Sequence, residues 1–132
     1  MSGNGKPKVL VADDERVIAD TLTMILTAAK YEARAVYNGE KAVEMARTFQ
    51  PDMLISDVIM PGKTGIEAAI EVRAMLPSCK ILLFSGQAAT ADLLEEARAR
   101  NQEFELLVKP VHPADLLVRL GRTFQLLKEA TA

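Results

Sequence analysis

Met53-Leu54-Ile55-Ser56-Asp57-Val58-Ile59-Met60-Pro61-Gly62-Lys63-Thr64-Gly65 is the stretch on which the reading of this chain turns. Met53-Leu54-Ile55 is apolar without alternation, the pattern of a strand covered on both faces. A single carboxylate, Asp57, closes that strand, and Pro61-Gly62-Lys63-Thr64-Gly65 turns the chain. In an open α/β sheet, ligands bind outside the carboxyl ends of the strands. Asp57 is therefore a candidate functional group. The plainer alternative is an Asp that caps the turn through local hydrogen bonds. The stretch alone leaves both open.

Upstream, Lys8-Val9-Leu10-Val11-Ala12 is a second short apolar run, and it stops at Asp13-Asp14-Glu15. Acids suit a helix N-terminus, which accounts for one or two of the three but less well for an adjacent pair at a strand end. Arg16 to Ala29 follows as a helix, with Val17, Ile18, Leu22, Ile25 and Leu26 at helical spacing. Glu32 to Tyr37 is a weak, alternating strand suited to a sheet edge. Asn38-Gly39 is a turn signal, compatible with a hairpin, but Glu40 to Phe49 continues as a helix with Ala42, Val43, Ala46 and Phe49 on one face.

Downstream, a helix runs from Thr64-Gly65 to Leu76, with Ile66, Ala69, Ile70, Val72 and Arg73 in its middle, and Pro77 stops it. Lys80 to Phe84 is a buried strand ending at Ser85-Gly86. A helix over about 88–100 exposes Asp92, Glu95, Glu96, Arg98 and Arg100. Glu105 to Val108 is a last strand ending at Lys109-Pro110, and a helix from Ala114 to Lys128 is entered through His112-Pro113. The β-then-α alternation, repeated five times, predicts a doubly wound α/β domain: a parallel five-stranded sheet between helical layers.

The 132 residues match one domain. We expect residues 1–7 to be a flexible leader, 8–128 the domain and 129–132 a tail. A net charge of −2 gives no general electrostatic reason to bind nucleic acid or membrane, and no run reaches transmembrane length. Met1 to Pro7 lacks the apolar stretch of a signal peptide. One cysteine, Cys79, rules out an internal disulfide, so a cytoplasmic setting is expected. Cys79 itself reads as structural or semi-exposed.

Parallel strands place their carboxyl ends on one edge. That edge gathers Asp13, Asp14, Asp57, Ser85 and Lys109, while Tyr37-Asn38-Gly39 adds nothing obvious. Clustered carboxylates repel unless a cation compensates them. Oxygen ligands suit Mg²⁺, with Mn²⁺ as the alternative. Carboxylate, divalent cation, amine and hydroxyl around one centre fit phosphoryl transfer, and a carboxylate can accept the group as an acyl phosphate.

In this order and spacing, the acidic pair Asp13-Asp14, the motif Asp57-Val58-Ile59-Met60-Pro61 with Gly65 eight residues past Asp57, Ser85-Gly86 and Lys109-Pro110 resemble a response-regulator receiver domain of two-component signalling, of the chemotaxis-regulator kind. The resemblance covers about Lys8 to Leu120. It implies a flavodoxin-like (βα)5 three-layer sandwich with strand order 2-1-3-4-5. It implies that Asp57 takes a phosphoryl group from the phosphohistidine of a sensor histidine kinase or phosphotransfer protein, in a Mg²⁺-dependent reaction. The product would be a self-phosphorylating and autodephosphorylating switch rather than a conventional enzyme. Asp14, Asp57 and the Ile59 carbonyl would hold the metal directly, and Asp13 through water. Lys109 would meet the phosphoryl oxygens, next to a cis Lys109-Pro110 bond. Ser85 would swing to the phosphoryl group and carry the switch with Gly86, Gln87 and Ala88.

Two places depart from the family. Leu106 stands where the family usually has Tyr or Phe, and Phe104 would share its face only if the strand began early. Arg100-Asn101-Gln102-Glu103 replaces a small residue and Gly, with Asn101 suited to a left-handed turn. Leu117, Leu120, Phe124, Leu126 and Leu127 form an apolar stripe that is core-facing through Leu120. Beyond that, a linker or homodimer contact competes with the core. After the last helix only Thr131-Ala132 remain, so a missing output domain or a separate output partner is expected. Two other functions stand beside the switch. A haloacid-dehalogenase-type phosphohydrolase would carry its nucleophile on the first strand in an Asp-x-Asp arrangement, whereas Asp57 is on the third with Ile59 two residues on. A pure docking module would have no use for the strand-end set.

Overall fold

The computed structural model describes residues 5–86, 91, 95, 98, 99, 104–108 and 112–131, the side chains of 108 and 126–131 excepted. The elements are β1 (Lys8–Ala12), α1 (Arg16–Ala28), β2 (Glu32–Val36), α2 (Gly39–Phe49), β3 (Met53–Asp57), α3 (Gly65–Met75), β4 (Lys80–Ser85), β5 (Glu105–Val108) and α4 (Pro113–Thr131). Ala91, Glu95, Arg98 and Ala99 are helical, and the other residues of the helix expected over 88–100 lie outside those described. The five strands form one sheet in the order β2-β1-β3-β4-β5, and every pairing is parallel.

Strand alternation divides the core between the two faces of that sheet. Leu10, Leu54 and Leu83 point to one side, onto Ala42, Val43, Ala46 and Phe49 of α2 and Ile66, Ala69 and Val72 of α3. Val9, Val11, Ile55 and Leu82 point to the other, onto Ala19, Leu22 and Leu26 of α1 and Leu116 and Leu120 of α4. β3 is central and all five of its residues are buried. β2 is an edge strand with one buried residue, Val36, as its weak alternation predicts.

Asn38 starts a helix rather than a hairpin. Its side chain accepts the Lys41 N–H at 2.8 Å, which caps α2. α2 ends with Gln50 in the left-handed region, at φ 49°. α3 begins with a reciprocal capping box. Thr64 accepts the Glu67 N–H and the Glu67 side chain accepts the Thr64 N–H.

Several expectations need correcting. Val17 is 79% exposed, because the buried stripe of α1 is Ala19, Leu22 and Leu26 and Val17 lies on the opposite side of the helix. Of the two readings of Cys79, structural or semi-exposed, its burial favours the structural one. β5 starts at Glu105, yet Phe104 and Leu106 both pack against the cluster on the α2–α3 side, so the alternation persists past the last ladder pair. α4 runs to Thr131, into the expected tail. Phe124 packs its ring 5.6 Å from that of Tyr31, at the margin of the chain's own core. Leu126 and Leu127 have side chains outside those described.

Candidate functional site

β1 and β3 are adjacent and in register, with Ala12 opposite Ser56. The residues that follow those positions, Asp13 and Asp57, therefore emerge side by side. Asp13 is 1% exposed and Asp57 8%, while Asp14 is exposed. One carboxylate oxygen from each of the three lies within 4.8 Å of the others. Asp13 is fixed at both ends: its N–H donates to the Val36 carbonyl at 3.2 Å and its Oδ1 accepts the Glu15 N–H at 3.0 Å. That second bond is an Asx turn just ahead of α1, whose N-cap residue Glu15 makes no side-chain capping hydrogen bond. Asp57 Oδ1 accepts the Ile59 N–H at 3.4 Å, the long end of a hydrogen bond, so the local turn engages this carboxylate only weakly.

The donor set fits a hard divalent cation. Opposite ligands on a Mg²⁺ octahedron are about 4.2 Å apart and neighbouring ones about 3 Å. Oxygens already within 4.8 Å of one another need little movement to reach that geometry.

Ser85 ends β4, next in sequence to Phe84, which stands opposite Asp57 in the ladder. It is 4% exposed. Gly86 follows it and is exposed. β5 closes at Val108, so Lys109 follows the neighbouring strand end, but Gln87, Ala88, Lys109 and Pro110 lie outside the described residues. Leu106 stands opposite Leu83 in the β4–β5 ladder and is half-buried.

The loop from Val58 to Thr64 is held at several points. Val58 N–H extends the β3–β4 ladder to the Phe84 carbonyl at 3.0 Å, and the Gly65 N–H closes the loop onto the Val58 carbonyl at 2.8 Å. Val58 and Met60 are buried, while Ile59 between them is 42% exposed. At the far end Gly62 takes φ +73°, a value glycine adopts without strain. Glu40 accepts the Lys63 N–H at 3.0 Å, and the Lys63 ammonium bonds to the Glu71 carboxylate. That bond to Glu71 holds the Lys63 ammonium above its usual range.

The end of β2 contributes more than its sequence suggests. The Tyr37 hydroxyl donates to Asp20 at 2.7 Å and the Arg16 guanidinium lies 4.2 Å over its ring. The Asp20 acceptor pushes the phenol above its ordinary value, since ionisation would set two negative charges together. Gly39 backs so closely on Lys63 that a β carbon there would lie 2.4 Å from the Lys63 carbonyl oxygen. The Thr64-x-x-Glu67 spacing is a local signature of the start of α3. The grip of Gly39 and Glu40 on a loop more than twenty residues away had no local signature.

Among the described residues no helix is long and apolar enough to cross a membrane. The sequence model of the response regulator receiver domain matches residues 9–121. The chemotaxis protein CheY of Thermotoga maritima is 33% identical over 116 residues, covering 87% of this chain and 95% of that protein. The transcriptional regulatory protein HptR of Staphylococcus aureus is 32% identical over 127 residues; the match takes in 92% of this chain but 48% of HptR. In three dimensions, the chemotaxis protein CheY4 of Vibrio cholerae superposes with a TM-score of 0.78 at 32% identity, covering 89% of this chain and 98% of that one.

Proposed function

The chain belongs to the response-regulator receiver domain family, a phospho-accepting family, and on that premise we propose that Asp57 is its acceptor, charged by the phosphohistidine of a sensor histidine kinase or phosphotransfer protein. The observation that carries the assignment is the meeting of Asp57 with Asp13 and Asp14 at the adjoining ends of β3 and β1. Asp57 is the member of that group that lies within its strand, at the end of the central β3, whereas Asp13 and Asp14 follow β1.

An Asp57 oxygen attacks phosphorus in line. A P–O bond forms as the donor P–N bond breaks, and the electron pair of that bond stays on the imidazole nitrogen. Water attacking phosphorus later returns the carboxylate and releases inorganic phosphate. Asp14 and Asp57, with the Ile59 carbonyl, are the groups proposed to hold Mg²⁺, or Mn²⁺ in its place, and Asp13 to act through water. When bound, the cation supplies positive charge against the carboxylates and the phosphoryl oxygens. Lys109 is proposed to meet those oxygens as a fixed ammonium. Ser85 donates its hydroxyl to the phosphoryl group and carries the movement into Gly86, Gln87 and Ala88. The partner that reads this movement is a separate protein or a further domain.

Mass spectrometry after incubation with acetyl phosphate and Mg²⁺ tests the assignment. The wild-type chain gains one phosphoryl unit and D57N gains none. Equal labelling of D57N overturns it.

A further inference from the structure

We propose that Glu40, at the start of α2, is a positioning residue for the metal-and-phosphoryl site, acting through the Lys63 amide on the loop that presents Ile59. The inference rests on the reading of the site given above. The stretch from Ile59 to Lys63 has a firm base, closed by the Gly65–Val58 hydrogen bond. Ile59 itself is 42% exposed, and its amide reaches Asp57 only at 3.4 Å. Burial of Val58 and Met60 fixes side chains on either side of Ile59. It does not by itself fix the rotation of the intervening peptide plane, and that rotation aims the Ile59 carbonyl.

The loop takes its remaining constraint from its far end, and there Glu40 is central. Its carboxylate accepts the Lys63 N–H at 3.0 Å, a charge-assisted bond and so among the stronger kinds. The same carboxylate lies against Gly62, where a β carbon would come within 2.8 Å of Oε1. Lys63 is also pressed on Gly39 and joined to Glu71. Glu40 is exposed and packs into no core, so its removal costs the fold little while freeing the apex of the loop.

The test is a Mg²⁺ titration followed by amide shifts at residues 13, 14, 57 and 59, run on wild type, E40A, E40Q and D57N, with melting temperatures measured alongside. Loss of a group that fastens a ligand-bearing loop weakens metal binding by about tenfold in E40A, while E40Q, whose amide oxygen still accepts the Lys63 N–H, stays within about twofold of wild type. A merely structural role would lower the melting temperature without this split between Ala and Gln. E40D, too short to reach Lys63, must behave as E40A does and serves in its place should E40A fail to fold. Wild-type Mg²⁺ affinity in E40A or E40D, with binding lost in D57N, overturns the role of Glu40 and leaves the reading of the site intact. Absence of Mg²⁺-dependent shifts in the wild type overturns both.

Discussion

Gly65 touches Asp57 backbone to backbone: a β carbon on residue 65 would stand 2.0 Å from the Asp57 carbonyl oxygen and 2.9 Å from the Ser56 hydroxyl. Neither neighbour can yield, because β3 is central and fully buried. In an exposed helix Gly→Ala stabilises by about 1 kcal/mol. In G65A overpacking reverses the sign, and we expect a loss of about 2–3 kcal/mol in urea unfolding together with slower phosphorylation of Asp57. A G65A protein as stable as the wild type would contradict this account of the contact.

Asp14 is the exposed member of the carboxylate group, and it faces two buried acids. Removing it relieves repulsion without breaking a core contact. D14A is therefore expected to be more stable than the wild type by about 1 kcal/mol in the absence of divalent metal, and to lose that advantage as Mg²⁺ is added. Unfolding curves with EDTA and with Mg²⁺ measure both. Unchanged Mg²⁺ affinity in D14A would remove Asp14 from the ligand set.

Cys79 is buried, and burial pushes its thiol up to about 12 from an ordinary 9.0. The reactive form is the thiolate, so a thiol reagent at pH 8 should label the folded chain only as fast as the region opens. Labelling should be immediate in urea. The sign of the stability effect follows from the raised value. The neutral thiol is favoured by the fold, so its contribution is complete below pH 9 and is lost as pH climbs from there toward 12. Rapid labelling under native conditions would place the thiol in a more open setting than this.

Leu106 is packed beside Phe104 and Leu83 on the α2–α3 side of the sheet. An isobutyl group has no hydroxyl to trade between buried and exposed hydrogen bonds, so the movement that follows phosphorylation should bypass it. With beryllofluoride as a phosphoryl mimic, the backbone over 86–90 is expected to shift while the Leu106 rotamer stays put. A Leu106 flip, or an unmoved 86–90 segment, contradicts this. L106Y should still accept a phosphoryl group on Asp57. Loss of phosphorylation in a folded L106Y protein would assign Leu106 to the chemistry.

The sheet was legible because its strands are short, apolar and cleanly punctuated. Glu105 to Val108 was bounded to the residue, and Asp13, Asp57 and Ser85 fell at strand ends as their runs implied. Val17 misled through its apolar character: at about 100° per residue it lies opposite Leu22 and Leu26, whereas Ala19 falls in line with them. Tyr37 was passed over because its role depends on Arg16 and Asp20, about twenty residues earlier. The same holds for Gly39 and Glu40 against Lys63. Local patterning reports propensity and burial period, while these contacts arise only once α1 and α2 are laid on the sheet.

The strand order also bears on how the chain can assemble as it leaves the ribosome. β2 adds to one edge of β1, β3 to the other, β4 to β3, and β5 to β4. Each new strand therefore meets an edge that is still open, and no pair already zipped must part to admit a later one. By the time Asp57 has been made, both strands that flank β1 have been synthesised. The three carboxylates at the ends of β1 and β3 thus come from strands made before those that complete the sheet.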